Sequence, residues 1–306
     1  MILSVCLNPV IQRTLYFDRI QKDEVNRASE QYVTASGKGV NVVRVLRQLG
    51  SEYSHITHAG GTQKEYFLQL CAQDSVKINY CDSSSEIRTC VTAVDLETRQ
   101  VTELVEEAPP VNEGTASRIM DLFEILLRPA SIVVISGTKA PGYPDDFFPE
   151  MVRKSKEEGK TVILDIKGED LIGSLKYSPD WIKPNLYEFL STFLPNWVAR
   201  GEKIIPPEAV EAAIEKAVYI SSRYRTGIIL TQGSLGTKVI YKNEPLHFPA
   251  QVTAALNTTG CGDAFTAAFA HSLYGESSAL SISDAVDFAQ KCAAKNAVTK
   301  KPGSLY

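Results

Sequence analysis

No two cysteines in this 306-residue sequence stand as C-x-x-C; the six, at positions 6, 71, 81, 90, 261 and 292, are scattered. That argues against a structural zinc site. It fits free, buried thiols in a reducing compartment, so a cytoplasmic protein is expected. No apolar stretch reaches about 18 residues, so no membrane span is expected. The first apolar run, Ile2–Leu7, lacks a basic segment before it and meets Asn8-Pro9 too early for a signal peptide. Positive charge is not in excess: 32 Lys and Arg against 36 Asp and Glu leave a net charge of −4. Broad binding to nucleic acid or to an anionic membrane is therefore not expected. An anionic ligand has to be held by local cations and dipoles. His55, His58, His247 and His271 show no metal-ligand spacing, and there is no internal repeat, low-complexity tract or Pro/Ser-rich linker. A Walker A loop is missing. So is a G-x-G-x-x-G turn after the first strand, where Asn8-Pro9 stands, which argues against a dinucleotide-binding oxidoreductase.

What is present is a chain 44% hydrophobic, ample for one α/β core. Short apolar runs alternate with helical patterns. Ile2–Leu7, Ser54–His58, Ser131–Ser136, Thr161–Asp165, a short stretch around Trp181 and Gly227–Thr231 read as strands. Val40–Leu49, Glu65–Ala72, Ala116–Leu127, Asp145–Glu158, a stretch after Pro184-Asn185, Pro207–Tyr224, Ala264–Tyr274 and Ser283–Val298 read as helices. Such alternation predicts a parallel sheet covered on both faces. Arg13–Asp18 and Gln31–Ala35 fall outside the alternation and predict a small extra sheet. Arg88–Leu96 and Gln100–Val105, joined at Glu97-Thr98-Arg99, predict a hairpin.

Four segments carry candidate chemistry, each with a plainer reading beside it. Thr259-Gly260-Cys261-Gly262-Asp263 leads into a small-residue helix. Backbone N–H groups at such a turn form a nest for phosphate oxygens, and Asp263 beside it suits a base that deprotonates an attacking hydroxyl. The plainer reading is a helix cap. Ser36-Gly37-Lys38-Gly39-Val40-Asn41 opens another helix, with Lys38 and Asn41 facing an anion, or else is a loop with an exposed lysine. Lys183-Pro184-Asn185 with Glu188 sets two oxygen side chains three residues apart, for a hydrated Mg²⁺ or for a capping box. Thr231-Gln232-Gly233-Ser234-Leu235-Gly236 ends a strand where α/β sheets bind ligands, or turns into Thr237–Tyr241 as a hairpin. Ser136-Gly137 ends another strand in the same way.

Taken in order, Leu7-Asn8-Pro9, Asp23-Glu24-Val25-Asn26-Arg27, Gly37-Lys38-Gly39-Val40-Asn41, Gly60-Gly61, Lys183-Pro184-Asn185 with Glu188, Thr231 with Gly233 and Gly236, and Thr259–Asp263 resemble the ribokinase-like (PfkB) carbohydrate kinase family over the whole chain. The likeness is nearest to its sugar-phosphate branch, that of 1-phosphofructokinase and tagatose-6-phosphate kinase. It implies one domain over 1–306, a three-layer α/β/α sandwich with a small β-sheet lid from roughly 12–35 and 86–106, and a homodimer through the lid. It further implies ATP and Mg²⁺, and a sugar phosphate as acceptor. Asp263 is then the base, and Gly260, Cys261 and Gly262 form the anion hole. Asn185 and Glu188 act on Mg²⁺ through water, and Lys183 on the ATP phosphates. Thr231, Gly233 and Gly236 contact the nucleotide. Gln12, Gly37 and Asn41 face the sugar, while Lys38, Arg88 and Ser136 hold its phosphate.

Three positions depart from the family pattern. Gln12 stands where an aspartate usually grips sugar hydroxyls, Thr62-Gln63-Lys64 follows the Gly-Gly pair, and Ser36 replaces a common glycine. None touches the segment around Asp263, so the chemistry is expected intact and the acceptor altered. The competing readings are a kinase of an unphosphorylated sugar or nucleoside, disfavoured by Lys38 and Arg88, and a non-catalytic sensor, disfavoured by Asp263 and its glycines. Cys261 inside the anion hole suggests that alkylation of its thiol blocks activity.

Overall fold

A computed structural model describes residues 1–198, 205–251, 253–275 and 281–306. In chain order the strands are β1 (Ile2–Val5), β2 (Val10–Phe17), β3 (Glu30–Ser36), β4 (Tyr53–Ala59), β5 (Asn79–Asp82), β6 (Arg88–Asp95) and β7 (Gln100–Val105). They continue with β8 (Ile132–Ser136), β9 (Thr161–Asp165), β10 (Trp181–Ile182), β11 (Gly227–Thr231), β12 (Thr237–Tyr241) and β13 (Glu244–Phe248). The helices are α1 (Lys38–Gln48), α2 (Lys64–Gln73), α3 (Thr115–Leu127), α4 (Phe147–Glu157), α5 (Gly168–Leu175), α6 (Leu186–Phe193), α7 (Pro207–Tyr224), α8 (Cys261–Ser272) and α9 (Ile282–Ala297).

The large sheet runs β13-β12-β11-β10-β9-β8-β1-β4-β5. From β11 to β5 every pairing is parallel. Its central strands β1, β8, β9 and β11 are largely apolar because both faces are covered, and alternate residues feed two separate cores. Val133, Ile135, Val162, Leu164, Ile228 and Leu230 pack with helices α3 to α7. Ile132, Val134, Ile163 and Ile229 pack with α1, α8 and α9. Helix, sheet and helix therefore form three layers.

The expectation of a parallel sheet fails at one edge. β11–β12 and β12–β13 are antiparallel. The connection from β11 is only Gln232–Gly236, too short for the crossover that a parallel pair requires. β13 itself, with Pro245 and mostly exposed side chains, offers little apolar pattern to read. β5 is a half-buried polar edge strand without an apolar period, and α5, which buries Leu171, Ser174 and Leu175, is only eight residues long and opens on Gly168, Glu169 and Asp170.

The second sheet has the order β3-β2-β6-β7. The β6–β7 hairpin is present, and β2 joins it in parallel while pairing antiparallel with β3. Ile11, Ala35 and Ile87 seat this sheet against Phe67, Leu70 and Cys71 of α2. Within the large sheet, Gly227 lies opposite Trp181, whose ring is stacked on Tyr241 and met edge-on by Phe269. A methyl at 227 would come to 2.4 Å from that ring, which has no room to retreat. Gly227→Ala is expected to destabilise the fold by about 1–3 kcal/mol in a urea titration.

Candidate active site

The carboxyl ends of the parallel strands and the N-termini of α1 and α8 meet at one cavity of about 1150 Å³. This is the edge where open α/β sheets take their ligands. β9 ends on Asp165, which is 1% exposed and lies outside the set of candidate residues read from the sequence. Its Oδ1 accepts from Lys38 Nζ at 2.9 Å, and its Oδ2 sits 3.1 Å from Lys183 Nζ and 2.8 Å from the Thr266 hydroxyl. Burial opposes the charge on Asp165, but the two ammonium groups outweigh burial and hold its pKa below the usual aspartate value. Only the end of a strand on one side, with α1 and the β10 exit on the other, makes this acid central. Its sole sequence signal is an aspartate closing an apolar strand.

Lys38, the first residue of α1, also donates to Glu188 Oε1 at 3.1 Å. Burial works against its charge, yet Asp165, Glu188 and Asp263 together raise its pKa above that of an ordinary lysine. It is not the exposed loop lysine of the plainer reading, and it meets the cavity already paired. Gly37 before it has φ +106°, and a side chain there would press on Cys6 Sγ at 3.0 Å and the Asn8 carbonyl at 3.2 Å. The turn into α1 thus needs glycine.

Asp263 lies in the first turn of α8, which begins at Cys261 rather than at Ala264 as the composition suggests. Gly260 is the N-cap with φ +82°, and the Cys261 N–H donates to the Thr258 carbonyl at 3.2 Å. Among the described residues the N–H groups of Gly262 and Asp263 have no acceptor in the chain. They are orphan donors at the positive end of a twelve-residue helix. Lys183 Nζ stands beside Gly262, 3.5 Å from where its Cβ would be. The Asp263 carboxylate is 6% exposed and accepts from Asn41 Nδ2 at 2.8 Å. Burial, then the nearby Asp165 charge, push its pKa up to about 6, against the pull of Lys38, Asn41 and Lys183.

Several pairs of rival readings coexist here. Asn185 and Glu188 do form a capping box, Glu188 N–H to Asn185 Oδ1 at 2.7 Å and Asn185 N–H to Glu188 Oε2 at 3.0 Å. Both also line the cavity. Thr231 to Gly236 does turn the chain into β12, and Thr231, Gly233 and Gly236 line the same cavity. Beyond them lies a wall the sequence did not disclose, built from Leu235, Pro249, Ala293, Ala294 and Ala297.

At the other end the small sheet supplies the lining. Gln12 uses its amide N–H groups on Thr92 Oγ1 at 2.9 Å and the Arg13 carbonyl at 3.3 Å, leaving Oε1 as its acceptor. Arg88, opening β6, donates from Nη1 to the Glu106 carbonyl at 3.1 Å, while its buried Nε has no partner. Among the described residues it is the one lysine or arginine lining the cavity without a carboxylate partner. Glu103 on β7, unforeseen in the sequence, accepts from Thr259 Oγ1 at 3.2 Å and so ties the small sheet to the turn before α8. Gly260, Cys261, Gly262, Gly37 and Asn41 also line the cavity, whereas Ser136 does not: it is fully buried opposite Asp165 and its hydroxyl has no partner. Burial pushes the Cys261 thiol up to about 11, while Asn296, donating to Sγ, works the other way.

Among the described residues no cluster of three His, Cys, Asp or Glu side chains forms a metal cage, and no helix is long and apolar enough to cross a membrane. A family model described as pfkB family carbohydrate kinase matches residues 3–304. Among solved structures, a protein described as a possible 1-phosphofructokinase from Thermotoga maritima is 19% identical with a TM-score of 0.86, the alignment covering 100% of this chain and 93% of the other. Phosphofructokinase-2 from Escherichia coli in complex with substrates and products is 20% identical with a TM-score of 0.83, covering 97% and 93%. The tetrameric inhibited form of that enzyme is 20% identical with a TM-score of 0.81, covering 97% and 94%.

Asp165 is the carboxylate partner of the buried Lys183. Its depressed pKa means its contribution to stability is present above the ordinary aspartate range and is lost as the pH falls through the lower folded-state value. Asp165→Asn strands the Lys183 ammonium and is expected to cost about 3–5 kcal/mol at pH 7. In chemical denaturation the gap from the parent should narrow as the pH is lowered through the acid range; a constant gap would contradict this assignment.

Proposed function

Because the chain belongs to the pfkB family of carbohydrate kinases, and is thus a phosphotransferase acting on a sugar hydroxyl, we propose that it moves the γ-phosphoryl group of MgATP to a hydroxyl of a phosphorylated ketohexose. The acceptor is of the fructose 1-phosphate, fructose 6-phosphate or tagatose 6-phosphate type. The observation that carries the choice is Arg88, a cation without a carboxylate partner whose buried Nε faces no acceptor, at the small-sheet end of the cavity. Such a group suits the acceptor's own phosphate. Lys38, already held by two carboxylates, is less free for that role and acts on the arrangement of Asp165 and Glu188. Escherichia coli phosphofructokinase-2, one of the proteins similar in fold, has been solved with fructose-6-phosphate.

The division of labour follows from charge. Phosphoryl transfer asks for positioning and neutralisation more than for covalent help. The alanine wall of α9 would take the base of ATP, and Lys183 and the start of α8 its phosphates. The orphan N–H groups there hold the transferring phosphoryl oxygens. Asp263 takes the proton of the sugar hydroxyl, its pKa of about 6 keeping it ionised yet basic near neutral pH. Gln12 Oε1 and Asn41 receive sugar hydroxyls. The donor set of Glu188 and Asn185 is made of hard oxygens and would hold a hydrated Mg²⁺ through water. When bound, Mg²⁺ supplies charge neutralisation on the phosphates. Val25, Leu104 and Val105, exposed apolar residues of the small sheet and its loops, support the sheet as both lid and homodimer surface. A cytoplasmic location accords with the thiols and the metabolite substrate.

ADP release with MgATP is the direct test, run against fructose 1-phosphate, fructose 6-phosphate, tagatose 6-phosphate, fructose, ribose and adenosine. Turnover confined to the phosphorylated sugars is expected. Turnover confined to the other three sinks the acceptor assignment, and silence across the panel favours a sensor. Asp263→Asn is expected to lower kcat by roughly 10²–10⁴-fold with little change in the KM for ATP. In the parent, kcat/KM should fall as the pH drops below about 6, where the base becomes protonated.

A further inference from the structure

Asn41 touches Asp263, yet what orients it comes from behind. Its Oδ1 accepts from Arg44 Nη1 at 2.7 Å and from Ser36 Oγ at 3.1 Å, while Nδ2 donates to Asp263 Oδ2 at 2.8 Å. A guanidinium has donors only, so the amide oxygen must face it and the amide nitrogen must face the carboxylate. Arg44 is 2% exposed and does not line the cavity. Its other donors are anchored too: Nε on Asp74 Oδ2 at 2.8 Å, Nη1 also on the Pro302 carbonyl at 3.0 Å, and Nη2 on the Ala35 carbonyl. Asp74 is in turn gripped by Lys301. Gly303 closes over the pair so tightly that a side chain there would come to 2.8 Å from Asn41 Cβ and 3.0 Å from Arg44 Nη1. Burying an arginine in this way adds no stability that an apolar side chain of similar volume would not match. Its distinctive effect is directional.

We infer that Arg44 is a positioning residue of the transfer reaction, fixing the Asn41 amide so that an N–H, and never a carbonyl oxygen, faces the Asp263 carboxylate. The inference rests on the reading of Asp263 as the base. Other charges reach Asp263 as well: Asp165 from β9, Lys38 from α1, Lys183 from the β10 exit, Glu188 through Lys38, and the neighbouring Cys261 thiol. None of these chooses which end of the amide Asp263 meets. A turned amide would set two oxygens against each other, favour the protonated acid and withdraw the base at neutral pH.

The test titrates Asp263 itself, by NMR of full-length protein carrying ¹³C-labelled aspartate, its signal assigned by loss in Asp263→Asn. Three proteins are compared: parent, Arg44→Met and Ser36→Ala. The last removes a donor to Asn41 without changing any charge. Arg44→Met is expected to raise the Asp263 titration by roughly one pH unit, the scale of one lost hydrogen bond to a carboxylate. Ser36→Ala is expected to raise it in the same direction by less. The acid limb of kcat/KM should move with the carboxyl, so that kcat/KM falls about twofold at pH 7 and approaches a tenfold fall near pH 5, with the KM for ATP little changed. An unmoved carboxyl in both variants overturns the inference; if Arg44→Met does not fold, an unmoved carboxyl in Ser36→Ala overturns it alone. A carboxyl that moves in a protein with no sugar kinase activity leaves the positioning intact and removes the kinase assignment instead.

Discussion

Asp165 pinned between two ammonium groups is the interaction on which the rest of the site depends. It closes β9 at the centre of the large sheet, and both of its oxygens are spent on Lys38 and Lys183. Isolated, each charge would be costly to bury. Together they form an arrangement near neutrality that survives in a low dielectric. Lys38 carries the balance onward to Glu188 in the first turn of α6, so one buried acid sets the relative positions of α1, β9, β10 and α6. The same acid acts on Asp263 from a distance. Its negative charge, added to burial, lifts Asp263 into the range where a carboxylate can take a proton from a hydroxyl.

The layered fold supplies the convergence. Parallel strands all end on the same side, and the helices that return from them begin there with unsatisfied N–H groups. Carboxylates, ammonium groups and orphan donors therefore gather at a single edge, with an alanine-lined wall on one flank and the small sheet on the other. That sheet is seated on α2 by Ile11, Ala35 and Ile87 and tied to the catalytic turn by Thr259 and Glu103. It brings Arg88 and Gln12 to the cavity wall. Under the proposed function the transfer chemistry falls to the large sheet and the choice of acceptor to the small one, where Gln12 departs from the family pattern while the segment around Asp263 does not.

Much of this was legible in one dimension. The apolar strand Thr161–Asp165 and the helix Pro207–Tyr224 have the same bounds in the sequence pattern and in the structure, because each lies between strong terminators. β5 and β13, polar or exposed edge strands, carry no apolar period, and α5 is too short for its buried Leu171, Ser174 and Leu175 to stand out. The start of α8 was placed three residues late, because glycine and cysteine are weak helix formers whereas the Gly260 cap is a matter of geometry. The rival readings at Asn185 with Glu188, and at Thr231 to Gly236, were both true at once. A cap or a turn at the carboxyl edge of a sheet is also a ligand surface.

The sequence by itself determined the alternation of strands and helices, the glycine turns that open α1 and α8, and the residue types from which a phosphate-handling site is made. All of these are local properties, set by side-chain period and backbone freedom within a few residues. Tertiary structure alone decided that Asp165 is central, that Lys38 is paired with carboxylates while Arg88 meets only the Glu106 carbonyl among the described residues, that Glu103 reaches Thr259, and that Arg44 stands behind Asn41. Those facts depend on which groups share a small volume without water. Charge, pKa and hydrogen-bond orientation respond to distance and burial, which a linear order of residues does not contain.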